Sequence, residues 1–119
     1  MDDEITPEEV ETLLESDDSP RIVDIRSPDA FARGHIPGSE NVPFNDLPDR
    51  IDEFSDADHI VTVCPHGKAS VQAARLISSY EGTADARVES MAGGLEAWSG
   101  DLEAAEADDA NGETPESPF

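Results

Sequence analysis

The chemistry this sequence can do is concentrated in one short stretch, Cys64-Pro65-His66-Gly67-Lys68-Ala69-Ser70. Cys64 is the only cysteine among 119 residues, and Lys68 is the only lysine. A thiol reacts as its thiolate, and positive charge, helix N-termini and inward-pointing N–H groups all stabilise that anion. Lys68 supplies a cation, Gly67 lets the backbone curl, and a helix-like run begins at Val71 directly after the stretch. Free cysteines also rank among the most buried residue types and often serve as small hydrophobes. Pro, His, Gly, Lys and Ser are poor core material, so the local chemistry leaves a reactive thiol and an inert one both open.

The elements on either side would hold this stretch in place. His59-Ile60-Val61-Thr62-Val63 reads as a buried strand, and Val71 to about Tyr80 as a helix with Ala73, Ala74, Ile77 and Tyr80 on one face. Gly82 is the expected stop. A thiol between them lies at the carboxyl end of a strand, where open α/β sheets bind ligands. Upstream, Thr6-Pro7-Glu8-Glu9 is a helix start with a capping box, followed by the apolar stripe Val10, Leu13 and Leu14. That helix should end between Ser16 and Ser19. Arg21-Ile22-Val23-Asp24-Ile25 reads as a strand, and Ser27-Pro28-Asp29-Ala30-Phe31 starts a short helix that stops at Gly34. A turn-rich linker then leads to an extended piece over 40–42. The spacing of Leu47, Ile51 and Phe54 predicts a helix over 45–54. A last strand is expected over 87–90, and a helical turn over 95–98 after Gly93-Gly94. Strands alternating with helices imply a parallel sheet covered on both faces. From Asp101 the composition shifts to Ala, Asp, Glu, Gly, Pro and Ser, which reads as a flexible acidic tail over 101–119.

With 29 acidic residues against 7 basic, the formal net charge is −22. Such charge opposes nucleic-acid binding, which needs a basic patch. Acidic residues fill the folded region as well as the tail, which favours adaptation to high salt over an acidic docking surface. In molar salt the Debye length falls to about 3 Å and like charges barely repel. No stretch approaches a membrane span, and Met1-Asp2-Asp3-Glu4 is acidic where a signal peptide would be basic. A single cysteine cannot form an internal disulfide. Together these features predict a soluble, cytoplasmic protein with no membrane partner, and they say nothing of its oligomeric state.

Four segments taken together carry a resemblance. Val23-Asp24-Ile25-Arg26-Ser27-Pro28-Asp29-Ala30-Phe31 and Gly34-His35-Ile36-Pro37-Gly38-Ser39-Glu40-Asn41-Val42-Pro43 resemble the two N-terminal signatures of single-domain rhodaneses. Cys64 to Ser70 looks like the family's active-site loop, and Gly93-Gly94-Leu95-Glu96-Ala97-Trp98 is similar to its C-terminal signature. The resemblance implies an α/β fold with a five-stranded parallel sheet and helices on both faces, over residues 1–100. It also implies sulfurtransferase activity that uses no cofactor. Cys64 would be the nucleophile, and Pro65, His66, Gly67, Lys68, Ala69 and Ser70 would form the substrate-binding loop. The thiolate would take the outer sulfur of thiosulfate or another sulfane-sulfur donor, releasing sulfite. A thiol, cyanide or sulfur-carrier protein would then accept the sulfur from the Cys64 persulfide.

Two departures matter. Many members have arginine where this chain has Ala69, so Lys68 is the loop's only permanent cation, and it lacks arginine's bidentate fork. The related cell-cycle phosphatases have a longer loop with arginine six residues after the cysteine, where this chain has Ser70. Phosphatase or arsenate-reductase chemistry is therefore disfavoured, because its oxyanion transition states need that clamp. A regulatory module with an incidental cysteine is the competing class, but such a module needs no intact loop. Asp24, Arg26 and His35 are candidates for a supporting layer around the site. Asp24 with Arg26 also reads as an architectural pair at a strand end, and His35 as a turn histidine. His66 reads as a solvated loop residue or as a polariser of the donor. The three histidines and the cysteine have no metal-ligand spacing.

Overall fold

The computed structural model describes residues 4–17 and 19–104. Five parallel strands form one sheet in the order β1-β5-β4-β2-β3. They are β1 (Glu4–Ile5), β2 (Arg21–Asp24), β3 (Glu40–Asn41), β4 (His59–Val63) and β5 (Arg87–Met91). The helices are α1 (Pro7–Leu14), α2 (Pro28–Arg33), α3 (Leu47–Arg50) and α4 (Ala69–Ser79). This is the parallel α/β architecture expected from the sequence.

The pleat divides the core in two, because successive strand residues face opposite ways. Ile5, Ile22, Val61, Val63 and Met91 pack with Val10, Leu13 and Leu14 of α1. Val23, Ile60 and Val88 pack on the other face with Leu47 of α3 and with Ala73, Ala74 and Ile77 of α4. The chain leaves β2 outward to β3 and leaves β4 in the opposite direction to β5. That reversal opens a crevice at the carboxyl ends of β2 and β4. Cys64 follows β4 directly.

Local signals hold where their chemistry is complete. Thr6 and Glu9 form the reciprocal capping box of α1, and the Ser27 hydroxyl accepts from the Ala30 N–H at the start of α2. Helix α1 ends at Leu14, earlier than expected. The helix expected over 45–54 is split into a 3-10 turn (Phe44–Asp46), α3, and a second 3-10 turn (Ile51–Phe54). Pro48 lacks an N–H and clashes with a helix continuing from upstream, so it sits in the first turn of a new segment. The spacing still does its packing job, since Leu47 and Phe54 are buried and Ile51 packs beside them.

Helix α4 begins two residues before Val71, so Ala69 and Ser70 belong to its first turn rather than to a loop. Its end also differs from expectation. Tyr80 turns the chain in an extended conformation and a 3-10 turn over Glu81–Thr83 follows, so Gly82 is not the cap. The segment expected to start a flexible tail bridges back at its beginning. His35 and Glu103 exchange backbone hydrogen bonds of 2.9 and 2.8 Å, and Leu102 lies over Gly34. The remainder of that segment lies outside the described residues.

Candidate active site

The start of α4 explains where the thiol sits. A helix leaves its first N–H groups without intrahelical partners, and no conventional side-chain cap serves α4. Cys64 takes that role. Its Sγ accepts from the backbone N–H groups of Ser70 at 3.3 Å and Gly67 at 3.0 Å. The Ser70 hydroxyl lies 3.3 Å from the same sulfur. Gly67 reaches inward because it adopts φ +84°, a conformation that favours glycine.

These contacts decide the ionisation of a thiol that is only 2% exposed. Burial is the largest single influence and pushes the thiol up. The Ser70 hydroxyl and the backbone N–H groups of Ser70, His66 and Gly67 together outweigh it and hold Cys64 below the ordinary thiol range. The positive end of the α4 dipole acts in the same direction. The donors around the sulfur favour its anion against the cost of burial.

A second layer fixes the loop from below. Gly93 and Gly94 have φ of +74° and +64° and lead into a 3-10 turn over Gly94–Ala97. From this turn the Leu95 N–H donates to the Cys64 carbonyl at 2.9 Å, and the Glu96 N–H donates to the Pro65 carbonyl at 3.1 Å. The two glycine segments touch so closely that a Cβ on Gly67 would lie 2.7 Å from the Gly93 nitrogen. Thr62 of β4 ties the helix start to the sheet, its hydroxyl donating to the Ser70 carbonyl at 2.7 Å.

Pro65, His66, Lys68 and Ala69 form the exposed rim of this loop, Gly67 is half-buried, and Ser70 is fully buried. His66 Nδ1 lies 3.1 Å from Glu96 Oε1, both side chains being well exposed. The Lys68 side chain makes no hydrogen bond or ion pair among the described residues, so its ammonium is available at the mouth of the loop.

Among the described residues, Asp24, in register with Val63 at the end of β2, and Arg26 and His35 make no hydrogen bond to Cys64 or its loop. Arg26 forks onto the buried Asp24 carboxylate at 2.8 to 3.1 Å and donates to the Gly34 carbonyl at 2.6 Å. His35 stacks on Phe31 and its Nδ1 lies 2.8 Å from the Phe31 carbonyl. These contacts brace β2 against α2 and the segment that follows it. None of them reaches Cys64.

Sequence reading missed Ser90. It is fully buried in β5, with its Oγ 2.6 Å from Ser70 Oγ. A serine in a short strand gives no local sign of facing a thiol; the alternation of β5 with Val88 on the α4 face was the one available clue.

Comparison with known proteins agrees with this architecture. The rhodanese-like domain family matches residues 6–101. The chain is 38% identical over 94 residues to the thiosulfate sulfurtransferase GlpE of Pseudomonas aeruginosa, an alignment covering 79% of this chain and 81% of that protein. It is 29% identical over 100 residues to YrkF of Bacillus subtilis, named as a candidate sulfur carrier protein. That alignment covers 84% of this chain but only 52% of YrkF, so the chain spans about half of that relative's length. Among solved structures, SSP1007 of Staphylococcus saprophyticus superimposes with a TM-score of 0.72 at 26% identity, covering 87% of this chain and 99% of that one.

Proposed function

This chain belongs to the rhodanese-like domain family, and from that premise we propose that it is a sulfurtransferase carrying sulfane sulfur as a persulfide on Cys64. The observation that carries the reading is the cradle of Gly67 N–H, Ser70 N–H and Ser70 hydroxyl around one buried sulfur. The Cys64 thiolate attacks the outer sulfur of thiosulfate. A new S–S bond forms as the S–S bond of thiosulfate breaks, and its electron pair leaves with sulfite. The negative charge then lies on the outer sulfur of the persulfide, next to the same set of donors. Cyanide or a thiolate attacks that outer sulfur, takes it away and restores the Cys64 thiolate.

The test is thiocyanate production from thiosulfate and cyanide. Turnover supports the reading, and a folded protein that releases no thiocyanate and transfers no sulfur to thiols refutes it. In this scheme Lys68 is the cation that draws the donor's sulfonate to the loop. Lys68→Ala is expected to raise the KM for thiosulfate about threefold or more with little change in kcat, since it removes attraction felt equally in ground and transition states. An unchanged KM would remove Lys68 from this role. The similarity to YrkF supports a sulfur-carrier protein as a physiological acceptor alongside small thiols.

The acidity of the chain enters as an environmental adaptation. At low ionic strength a net charge of −22 repels anionic donors and strains the compact state. Activity is therefore expected to rise with salt into the molar range. A flat or falling profile, measured while circular dichroism reports a folded domain, would contradict that adaptation.

A further inference from the structure

The hydroxyl of Ser90 leads from the core to the nucleophile by way of Ser70. Ser90 and Ser70 are both 0% exposed and Cys64 is 2% exposed, so all three are shielded from bulk solvent. Ser90 Oγ lies 2.6 Å from Ser70 Oγ, and Ser70 Oγ lies 3.3 Å from Cys64 Sγ. Among the described residues, Ser70 is the only hydrogen-bonding partner of the Ser90 hydroxyl.

Counting protons along this chain gives it a direction. Two hydroxyls and a neutral thiol carry three protons, but the chain has only two links. If the thiol donates to Ser70, Ser70 donates to Ser90 and the Ser90 proton has no acceptor. If the hydroxyls point toward sulfur instead, the thiol proton is the one left idle and a neutral sulfur is a weak acceptor. With a thiolate, Ser90 donates to Ser70 and Ser70 donates to Sγ. Every proton is then used, and the final link is charge-assisted. Buried polar hydrogens without partners are costly, so the arrangement favours the anion.

We propose that Ser90 is a positioning residue for this site, turning the Ser70 hydroxyl proton onto Cys64 Sγ and so biasing the sulfur toward its thiolate. This rests on the reading of Cys64 as the nucleophile. The charged groups on the surrounding elements have other partners or stand at the exposed mouth of the loop. His66 pairs with Glu96, and Asp24 with Arg26. Glu89 of β5 pairs with His59 and Arg87, while Lys68 is exposed at the loop mouth. None of them hydrogen-bonds Sγ.

The test is the pH dependence of Cys64 alkylation by iodoacetamide on the full chain in molar salt. Ser90→Ala is expected to raise the midpoint by about one pH unit. Ser70→Ala should raise it at least as far, and the double variant no further than Ser70→Ala alone, because Ser90 acts through Ser70. An unchanged midpoint in folded Ser90→Ala overturns the proposal. So does a Ser90→Ala shift that persists in full in the Ser70→Ala background. If Ser90→Ala does not fold, Ser90→Gly deletes the same hydroxyl and is judged by the same results. Alkylation needs no sulfur donor, so failure of this proposal and failure of sulfur transfer are read separately.

Discussion

Cys64→Ser is expected to lower sulfur transfer from thiosulfate to cyanide by about 10⁴-fold or more, to the uncatalysed level, while leaving the fold in place. The two halves of this expectation have different causes. A serine hydroxyl stays protonated under conditions where the cradle ionises a thiol, and its oxygen is a poor nucleophile toward sulfane sulfur. The structural duty of Cys64 is to accept N–H groups at the start of α4, and a serine oxygen is among the best residues for that duty. Steady-state thiocyanate production gives the loss, and thermal unfolding in molar salt checks that the melting temperature changes little. Substantial residual turnover would mean that the sulfur is held elsewhere than on Cys64.

Gly94→Ala is the second large effect, and it strikes at the loop rather than the thiol. Gly94 has φ +64°, and a Cβ there would meet the Cys64 carbonyl oxygen and lie 2.5 Å from the Pro65 carbonyl carbon and oxygen. These are backbone atoms that cannot swing aside as a side chain would. Relief requires the 3-10 turn to move away, breaking the Leu95 and Glu96 hydrogen bonds that hold the loop. A stability loss of about 2 to 4 kcal/mol is expected. Activity should fall about a hundredfold, because the loop loses its positioning. Gly38→Ala is the matched comparison. Gly38 also has positive φ, at +83°, but a Cβ there meets nothing within 4 Å. It should cost only about 1 kcal/mol of conformational strain and leave turnover unchanged. If both substitutions behave alike, strain alone explains them and the contact between the two glycine segments has no special role.

What could be read from the sequence depended on how local the cause was. The caps at Thr6 and Ser27 and the apolar runs 21–25 and 59–63 carry their signal within a few residues, and each element begins within a residue or so of its expected place. Strand β1 left no signal, because two residues cannot display a period and Glu4–Ile5 gains its identity from β5. The spacing of Leu47, Ile51 and Phe54 gave the buried face correctly but concealed the break that Pro48 imposes.

The site divides in the same way. Cys64, Gly67 and Lys68 could be singled out from their own stretch of chain. Ser70 stands in the sequence as a loop residue and where a phosphatase has arginine, and among the described residues its hydroxyl is the one within hydrogen-bond reach of the sulfur. The supports from Gly94, Leu95 and Ser90 come from segments 20 or more residues away, brought in by β5 pairing beside β4. Asp24 and Arg26, which read as an architectural pair at a strand end, form that pair.

The most direct measurement is the intact mass of the protein after incubation with thiosulfate in molar salt and removal of excess donor. The wild-type chain should gain one sulfur atom, and cyanide should return it to its starting mass, while Cys64→Ser should gain nothing. A folded wild-type protein that gains no sulfur, or a Cys64→Ser variant that gains as much, would contradict a persulfide on Cys64.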